Sequence, residues 1–304
     1  MSTTLEVRDL VKDFPIRGGL LRRARLRAVD HVSFTIAPGR TVALVGESGS
    51  GKSTIARIIA RLDKPTGGRV LLRGPGGEPV PDRVYRDHVQ MVFQDPFASL
   101  NPFHTVGHHI ARPLRLHRRS RGREATTRQV IDLLDRVMLP GPDMIRRRPH
   151  ELSGGQRQRV AIARALAPGA QVVVADEPVS MLDVSIRLDI LRLLARLQRE
   201  ANLAVLYITH DLATARHFAD DILVLLKGRV VERGPADDVI LDPRHPYTKL
   251  LAAASPDPLA RRRRDDVDPE AVTAAAAAAT AAYDHYTGSW ADDPAAATRA
   301  PGQG

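Results

Sequence analysis

The sequence has 304 residues, 45 basic and 35 acidic side chains, a formal net charge of +10 and no cysteine. That length holds one large domain or two small ones with an ample core, and 43% hydrophobic with 26% charged residues is a globular composition. The missing cysteine excludes disulfides, thiolate metal sites and a cysteine nucleophile, and no apolar run approaches the roughly 20 residues of a membrane helix.

The first ten residues are mixed and polar, without a signal-peptide pattern, so a cytosolic chain is expected. Residues 1–95 are rich in β-branched runs broken by Gly-rich turns. The run TVALV at 41–45 ends at Gly46 and predicts a buried strand, and residues 55–62 follow with a helical, mostly apolar pattern. Pro, His and Arg dominate 97–150, where the spacing of Val130, Ile131, Leu133, Leu134 and Val137 predicts a helix over 126–138. Strands are predicted at 172–175, 204–208 and 222–226, with a helix over 184–201. Strands alternating with helices predict a parallel α/β sheet covered on its faces, with 97–150 as a helical insertion. Beyond Ser255 come four arginines at 261–264, then acids, then six alanines at 274–279. This low-complexity tail, which includes Trp290, is expected to be disordered.

Three short stretches carry chemistry. Gly46, Glu47, Ser48, Gly49, Ser50, Gly51, Lys52 and Ser53 match the P-loop pattern G-x-x-x-x-G-K-[ST], between a strand and a helix, with Thr54 next in line. Glycines let backbone N–H groups wrap phosphates, the helix aims its positive end at them, and Lys52 neutralises their charge. The apolar run at 172–175 ends in Asp176 and Glu177, a metal-holding carboxylate and a candidate base for the attacking water. Leu152, Ser153, Gly154, Gly155 and Gln156 precede a helix predicted over 157–167, a second anion-binding helix start.

In this order the motifs closely resemble the ATP-binding-cassette (ABC) family over residues 1 to about 255. Residues 46–53 correspond to Walker A, Gln94 to the Q-loop glutamine and residues 152–156 to the signature motif. Asp176 and Glu177 correspond to Walker B and its catalytic glutamate, residues 180–183 to the D-loop, His210 to the switch histidine and Phe14 to the aromatic that stacks on adenine. The resemblance implies an α/β P-loop NTPase fold, an ABC nucleotide-binding domain with a helical signature-motif subdomain (insertion about 97–165) and an N-terminal antiparallel β subdomain. It implies ATP and Mg²⁺ as ligands, Mg²⁺ being held by Ser53, Gln94 and Asp176. It assigns Glu177 as general base, with His210, Gln94 and Lys52 completing the catalytic set. It also implies a head-to-tail dimer in which Ser153, Gly154, Gly155 and Gln156 close the partner's site. Met181 departs from the small residue usual in the D-loop.

The stretch QMVFQDPFASLNP at 90–102 and His245-Pro246-Tyr247-Thr248 with Ser255-Pro256 resemble the oligopeptide/dipeptide importer branch, with an importer-type segment at about 235–255. That branch implies an ATPase subunit peripheral to the cytoplasmic face of the cell membrane. Its partners there are a second ATPase subunit, the same or a related chain, two transmembrane permease subunits and, indirectly, an extracellular solute-binding protein.

Residues 256–304 hold five arginines and eight acids, so the preceding 255 carry +13. A basic body also suits a different class, a soluble ABC ATPase acting on nucleic acid or ribosomes, although the single cassette and absence of sustained heptads speak against it. A subunit that binds ATP without turning it over is a third reading, opposed by intact Glu177 and His210. The arginines at 17, 22, 23, 25 and 27 read as an insertion after Phe14, and a second group runs from Arg112 to Arg128. Either is a solvated face or a contact for anionic headgroups. His104, His108, His109 and His117 crowd one segment, without the acidic or cysteine ligands that would favour a metal.

Overall fold

The computed structural model describes residues 3–17 and 23–254; the expectations for Arg22 and for the tail with Trp290 lie outside the described residues. In chain order, β1 (Thr4–Arg17) and β2 (Arg23–Ile36) lead to β3 (Thr41–Val45), α1 (Lys52–Ile59), β4 (Gly67–Arg73), α2 (Asp82–His88) and β5 (Val89–Val92). A helical stretch follows: α3 (Pro96–Ser99), α4 (Val106–Leu116), α5 (Arg123–Arg136), α6 (Gly141–Met144) and a 3-10 turn at Pro149–Glu151. Then come α7 (Gly154–Leu166), β6 (Val172–Asp176), α8 (Val184–Glu200), β7 (Ala204–Thr209) and α9 (Leu212–Phe218). The described chain ends with β8 (Asp221–Leu226), β9 (Arg229–Pro235), α10 (Ala236–Leu241) and α11 (Pro246–Ala254).

Two sheets form. The antiparallel one has the order β2-β1-β4 and the larger one the order β5-β6-β7-β3-β8-β9. The first five strands of the larger sheet are parallel, and β9 closes its edge antiparallel to β8. Strands β3, β6 and β7 are buried along their whole length, which is why they read as unbroken apolar runs. Alternate residues serve opposite faces. Val42, Leu44, Val172, Val174, Leu206 and Ile208 join a core with α1 (Ile55, Ile58, Ile59) and the antiparallel sheet (Leu5, Leu10, Val29, Ile36). Ala43, Val45, Val173, Ala175, Val205 and Tyr207 join the other core, with Ile162 of α7, Leu194 of α8, and Ile110 and Leu134 of the helical stretch. The sheet therefore binds the antiparallel layer to one face and the helical stretch to the other. Each fully buried Leu or Ile contributes about 1.5–3 kcal/mol to holding them there.

Because β5, β6, β7 and β3 run parallel, their C-terminal ends open on one edge, the crevice where α/β sheets bind ligands. Among the described residues no helix is long and apolar enough to cross a membrane.

The described part of the basic insertion expected after Phe14 is strand. Arg25 and Arg27 lie in β2, paired with Pro15 and Asp13 of β1. Arginines alternating with Ala and Leu at 23–28 are a period-two signal, and β2 is an edge strand, where exposed charge discourages pairing with another chain. In the helical stretch α5 stops at Arg136, short of the expected end, because Met138 takes φ 61°. His104, His108 and His109 do gather, the first two rings stacked with centroids 4.0 Å apart, while His117 pairs with Asp87 at 2.6 Å.

Candidate active site

The P-loop joins β3 to α1. Gly51 occupies the N-cap of α1 at φ 107°, where a Cβ would stand 2.3 Å from the Ala28 carbonyl oxygen, so the position accepts only glycine. No side chain caps α1, which leaves its first-turn N–H groups available to an anion. The Lys52 ammonium donates to the carbonyl oxygens of Gly46 and Glu47, both at 2.7 Å. Burial pushes its pKa down, against the pull of Glu177, Asp176 and Glu47. The Ser50 hydroxyl is buried without a partner. A buried cation, free helix amides and an orphaned hydroxyl together fit a phosphate group. Glu47, Ser48 and Gly49 are exposed along the loop, and Thr54 follows on α1.

The end of β6 brings its carboxylates to this loop. The Ser53 hydroxyl donates to Asp176 at 3.2 Å. Asp176 is 7% exposed, and burial raises its pKa, offset in part by the Ser53 bond. A hydroxyl and a carboxylate, both hard oxygen donors, suit Mg²⁺. Glu177 follows in a left-handed backbone, φ 43°, with its N–H bonded to the Ile208 carbonyl of β7. Its Oε2 meets two groups from other strand ends: Gln94 Nε2 donates to it at 3.1 Å, and His210 Nδ1 stands 3.5 Å away. Gln94 thus approaches the carboxylate rather than the Ser53–Asp176 pair, although its expected place was among the metal ligands. Gln94 and His210 are exposed, so the carboxylate is open to solvent on their side.

Residues 153–156 form a capping box at the start of α7. The Ser153 hydroxyl accepts from Gln156 N at 3.3 Å, and Gln156 Oε1 accepts from Ser153 N at 3.0 Å. Ser153 keeps its own O–H to donate elsewhere and is exposed. Gly155 lets α7 press against α8, since a Cβ there would lie 2.7 Å from Ile186 Cγ2. Phe14 is 36% exposed, with the Lys12 ammonium 4.9 Å from its ring centre. Met181 is 55% exposed.

Sequence reasoning missed two sets of contacts. Tyr247 of α11 accepts a hydrogen bond from Glu47 N of the P-loop at 3.0 Å. Arg157 and Arg164 of α7 hold α3, just past Gln94. The Arg157 guanidinium lies 4.1 Å from the Phe97 ring centre, and Arg164 donates to the Ser99 carbonyl. Only the arginine spacing on α7, i and i+7, hinted that both face one neighbour.

A family model described as "ABC transporter" matches residues 29–180, and one described as "Oligopeptide/dipeptide transporter, C-terminal region" matches residues 231–281. The chain is 48% identical over 257 residues to the glutathione import ATP-binding protein GsiA of Escherichia coli (strain K12), covering 83% of this chain and 41% of that protein. It is 47% identical over 267 residues to the GsiA of Salmonella typhimurium (strain LT2), covering 86% and 42%. The chain thus spans about two fifths of the length of the curated relatives it matches. Among solved structures it resembles the dimeric bacterial ABC transporter cassette MJ0796, with TM-score 0.64 and 31% identity over 76% of this chain and 98% of that one. That cassette has also been seen in a post-hydrolysis state bound to ADP and Pi. The cbiO1 protein of Clostridium perfringens, part of an ABC transporter complex, matches with TM-score 0.65 and 26% identity over 78% and 90%.

Proposed function

This chain belongs to the ABC transporter family, and we propose on that premise that it is the ATP-hydrolysing subunit of an importer for peptides or related small solutes. The observation that carries the enzymatic reading is the meeting of Gln94 and His210 on one oxygen of Glu177, beside the Ser53–Asp176 pair. The importer reading rests on the C-terminal match at residues 231–281 and on relatives whose name is glutathione import ATP-binding protein, which makes short peptides of that kind the first cargo to test. Residues 1–255 act as one cassette in this reading.

The α1 amides and Lys52 receive the phosphates. Burial of Lys52 lowers the cost of exchanging two neutral carbonyls for an anionic oxygen. Ser53 and Asp176 hold Mg²⁺, which when bound neutralises charge on the phosphate oxygens. The Glu177 carboxylate accepts a proton from the attacking water. Gln94 orients that carboxylate by donating to Oε2, and His210 stands at the same oxygen, as a contact for the γ-phosphate in this reading. Phe14 offers the adenine a ring face polarised by Lys12. The α7 start, with Ser153, Gly154, Gly155 and Gln156, is presented to the nucleotide of a second ATPase subunit, the pair docking beneath two permease subunits at the cytoplasmic face of the membrane.

The test is ATP turnover by the chain alone and with its co-purified membrane subunits, in the presence and absence of RNA and DNA. Turnover that responds to the membrane subunits and ignores nucleic acid is the expected result. Stimulation by nucleic acid with a steep salt dependence would overturn the importer reading.

A further inference from the structure

The segment after β9 reaches back into the nucleotide site. The Tyr247 hydroxyl accepts the Glu47 amide proton at 3.0 Å, across 200 residues of sequence. Tyr247 is 3% exposed and packs in the core shared by the sheet and the helical stretch. Burial pushes its pKa up to about 12, so the hydroxyl stays neutral at working pH. Its position is fixed from behind as well. Tyr247 N donates to His245 Nδ1 at 3.1 Å, and the Glu232 carboxylate on β9 accepts the amides of Arg244 and His245 at 2.8 and 3.0 Å.

The amide that Tyr247 takes belongs to the Gly46–Glu47 peptide group. The other end of that group, the Gly46 carbonyl, is one of the two oxygens holding Lys52. A peptide group is planar, so fixing its N–H fixes its C=O. We infer that Tyr247 is a positioning residue for nucleotide binding: its hydroxyl sets the Gly46–Glu47 peptide and, through that carbonyl, the place from which the Lys52 ammonium meets phosphate. The inference rests on the ATP-site reading above, and it gives the C-terminal segment a mechanical hold on the P-loop.

The test compares Tyr247→Phe, which deletes only the hydroxyl, with Thr248→Val in the full chain. Thr248 is the next residue on α11, fully buried, with a hydroxyl that has no partner. Binding of ATP with Mg²⁺ is measured by calorimetry, and KM and kcat by turnover. Tyr247→Phe should weaken ATP binding and raise KM by roughly 3- to 10-fold, the worth of one neutral hydrogen bond, with kcat within about twofold. Thr248→Val should bind like the parent. Parental affinity in Tyr247→Phe, or equal weakening in both variants, would overturn the inference. A Lys52→Ala chain that binds ATP as well as the parent would instead refute the nucleotide-site reading, so the two failures are distinct.

Discussion

Two glycines of the P-loop should respond very differently to alanine. Gly49 sits at φ 81° with nothing within 4 Å of where a Cβ would be. Gly49→Ala therefore costs only the left-handed backbone, about 1–2 kcal/mol, or roughly 2–8 °C in Tm for a chain of this size. Gly51, at φ 107°, would place its Cβ 2.3 Å from the Ala28 carbonyl oxygen, about 1 Å inside an ordinary carbon–oxygen contact. That carbonyl has little room to retreat. Two residues on, Asp30 N donates to the Gly228 carbonyl at 2.9 Å, and Gly228 N donates to the Ser50 carbonyl at 2.9 Å. These bonds tie β2, the β8–β9 turn and the P-loop into one unit. Relieving the clash means loosening them, at about 1 kcal/mol each, on top of the backbone strain. Gly51→Ala should thus lose about 4 kcal/mol and on the order of 8–16 °C in Tm. Differential scanning calorimetry of the nucleotide-free variants reads both effects. Equal losses in the two, or a parental Tm for Gly51→Ala, would refute the packing argument.

Glu177→Gln keeps the side-chain shape and an oxygen for Gln94 to donate to. It should leave Tm and ATP affinity near parental, trap a dimer, and slow turnover by roughly 10²–10⁴-fold, the usual contribution of a general base; hydrolysis at the parental rate removes Glu177 from that role. Asp176→Asn should abolish Mg²⁺-dependent nucleotide binding yet raise the apo Tm at neutral pH. The reason is one of sign: burial raises the Asp176 pKa above its ordinary 3.8, so as pH rises the unfolded chain sheds the proton first and the folded state is penalised. The gain should shrink as pH falls through the raised pKa towards 3.8, and a pH-independent gain would point to another cause. Arg157→Ala removes both the bond to the Pro149 carbonyl and the Phe97 ring contact, together about 2 kcal/mol, whereas Phe97→Ala removes only the second, about 0.5–1 kcal/mol. A double-mutant cycle with no coupling would show that the ring contact contributes nothing.

The parts of the site legible in the sequence are those where chemistry dictates local order. Residues 46–53 carry glycines between a strand and a helix, as the proposed phosphate cradle needs, residues 172–177 carry carboxylates out of a buried strand, and Ser153 with Gln156 make a cap by themselves. The sheet was legible because central strands are apolar on both faces. Less legible were elements whose identity is settled by neighbours. The four-residue strand β5 contains Gln90, and α3 is a single turn held by Asp95 below and arginines from α7. The outer half of β2 reads as a basic insertion until its pairing with β1 is seen. Tyr247 announces a helix start, and nothing in its surroundings along the chain points to a partner 200 residues earlier.

The grip of α7 on α3 has a thermodynamic consequence. Gln94, which donates to Glu177, leads directly into α3, and α3 is held by Arg157 and Arg164 of the helix whose first turn carries Ser153 and Gly155. A ligand drawn to that first turn and a ligand drawn to Glu177 therefore act on one connected body, and binding free energies are reciprocal. In the proposed dimer, whatever the neighbour's nucleotide contributes by steadying α7 would return to it as a preference for a subunit whose own Gln94 is in place, so each subunit's occupancy would be written into its partner's affinity.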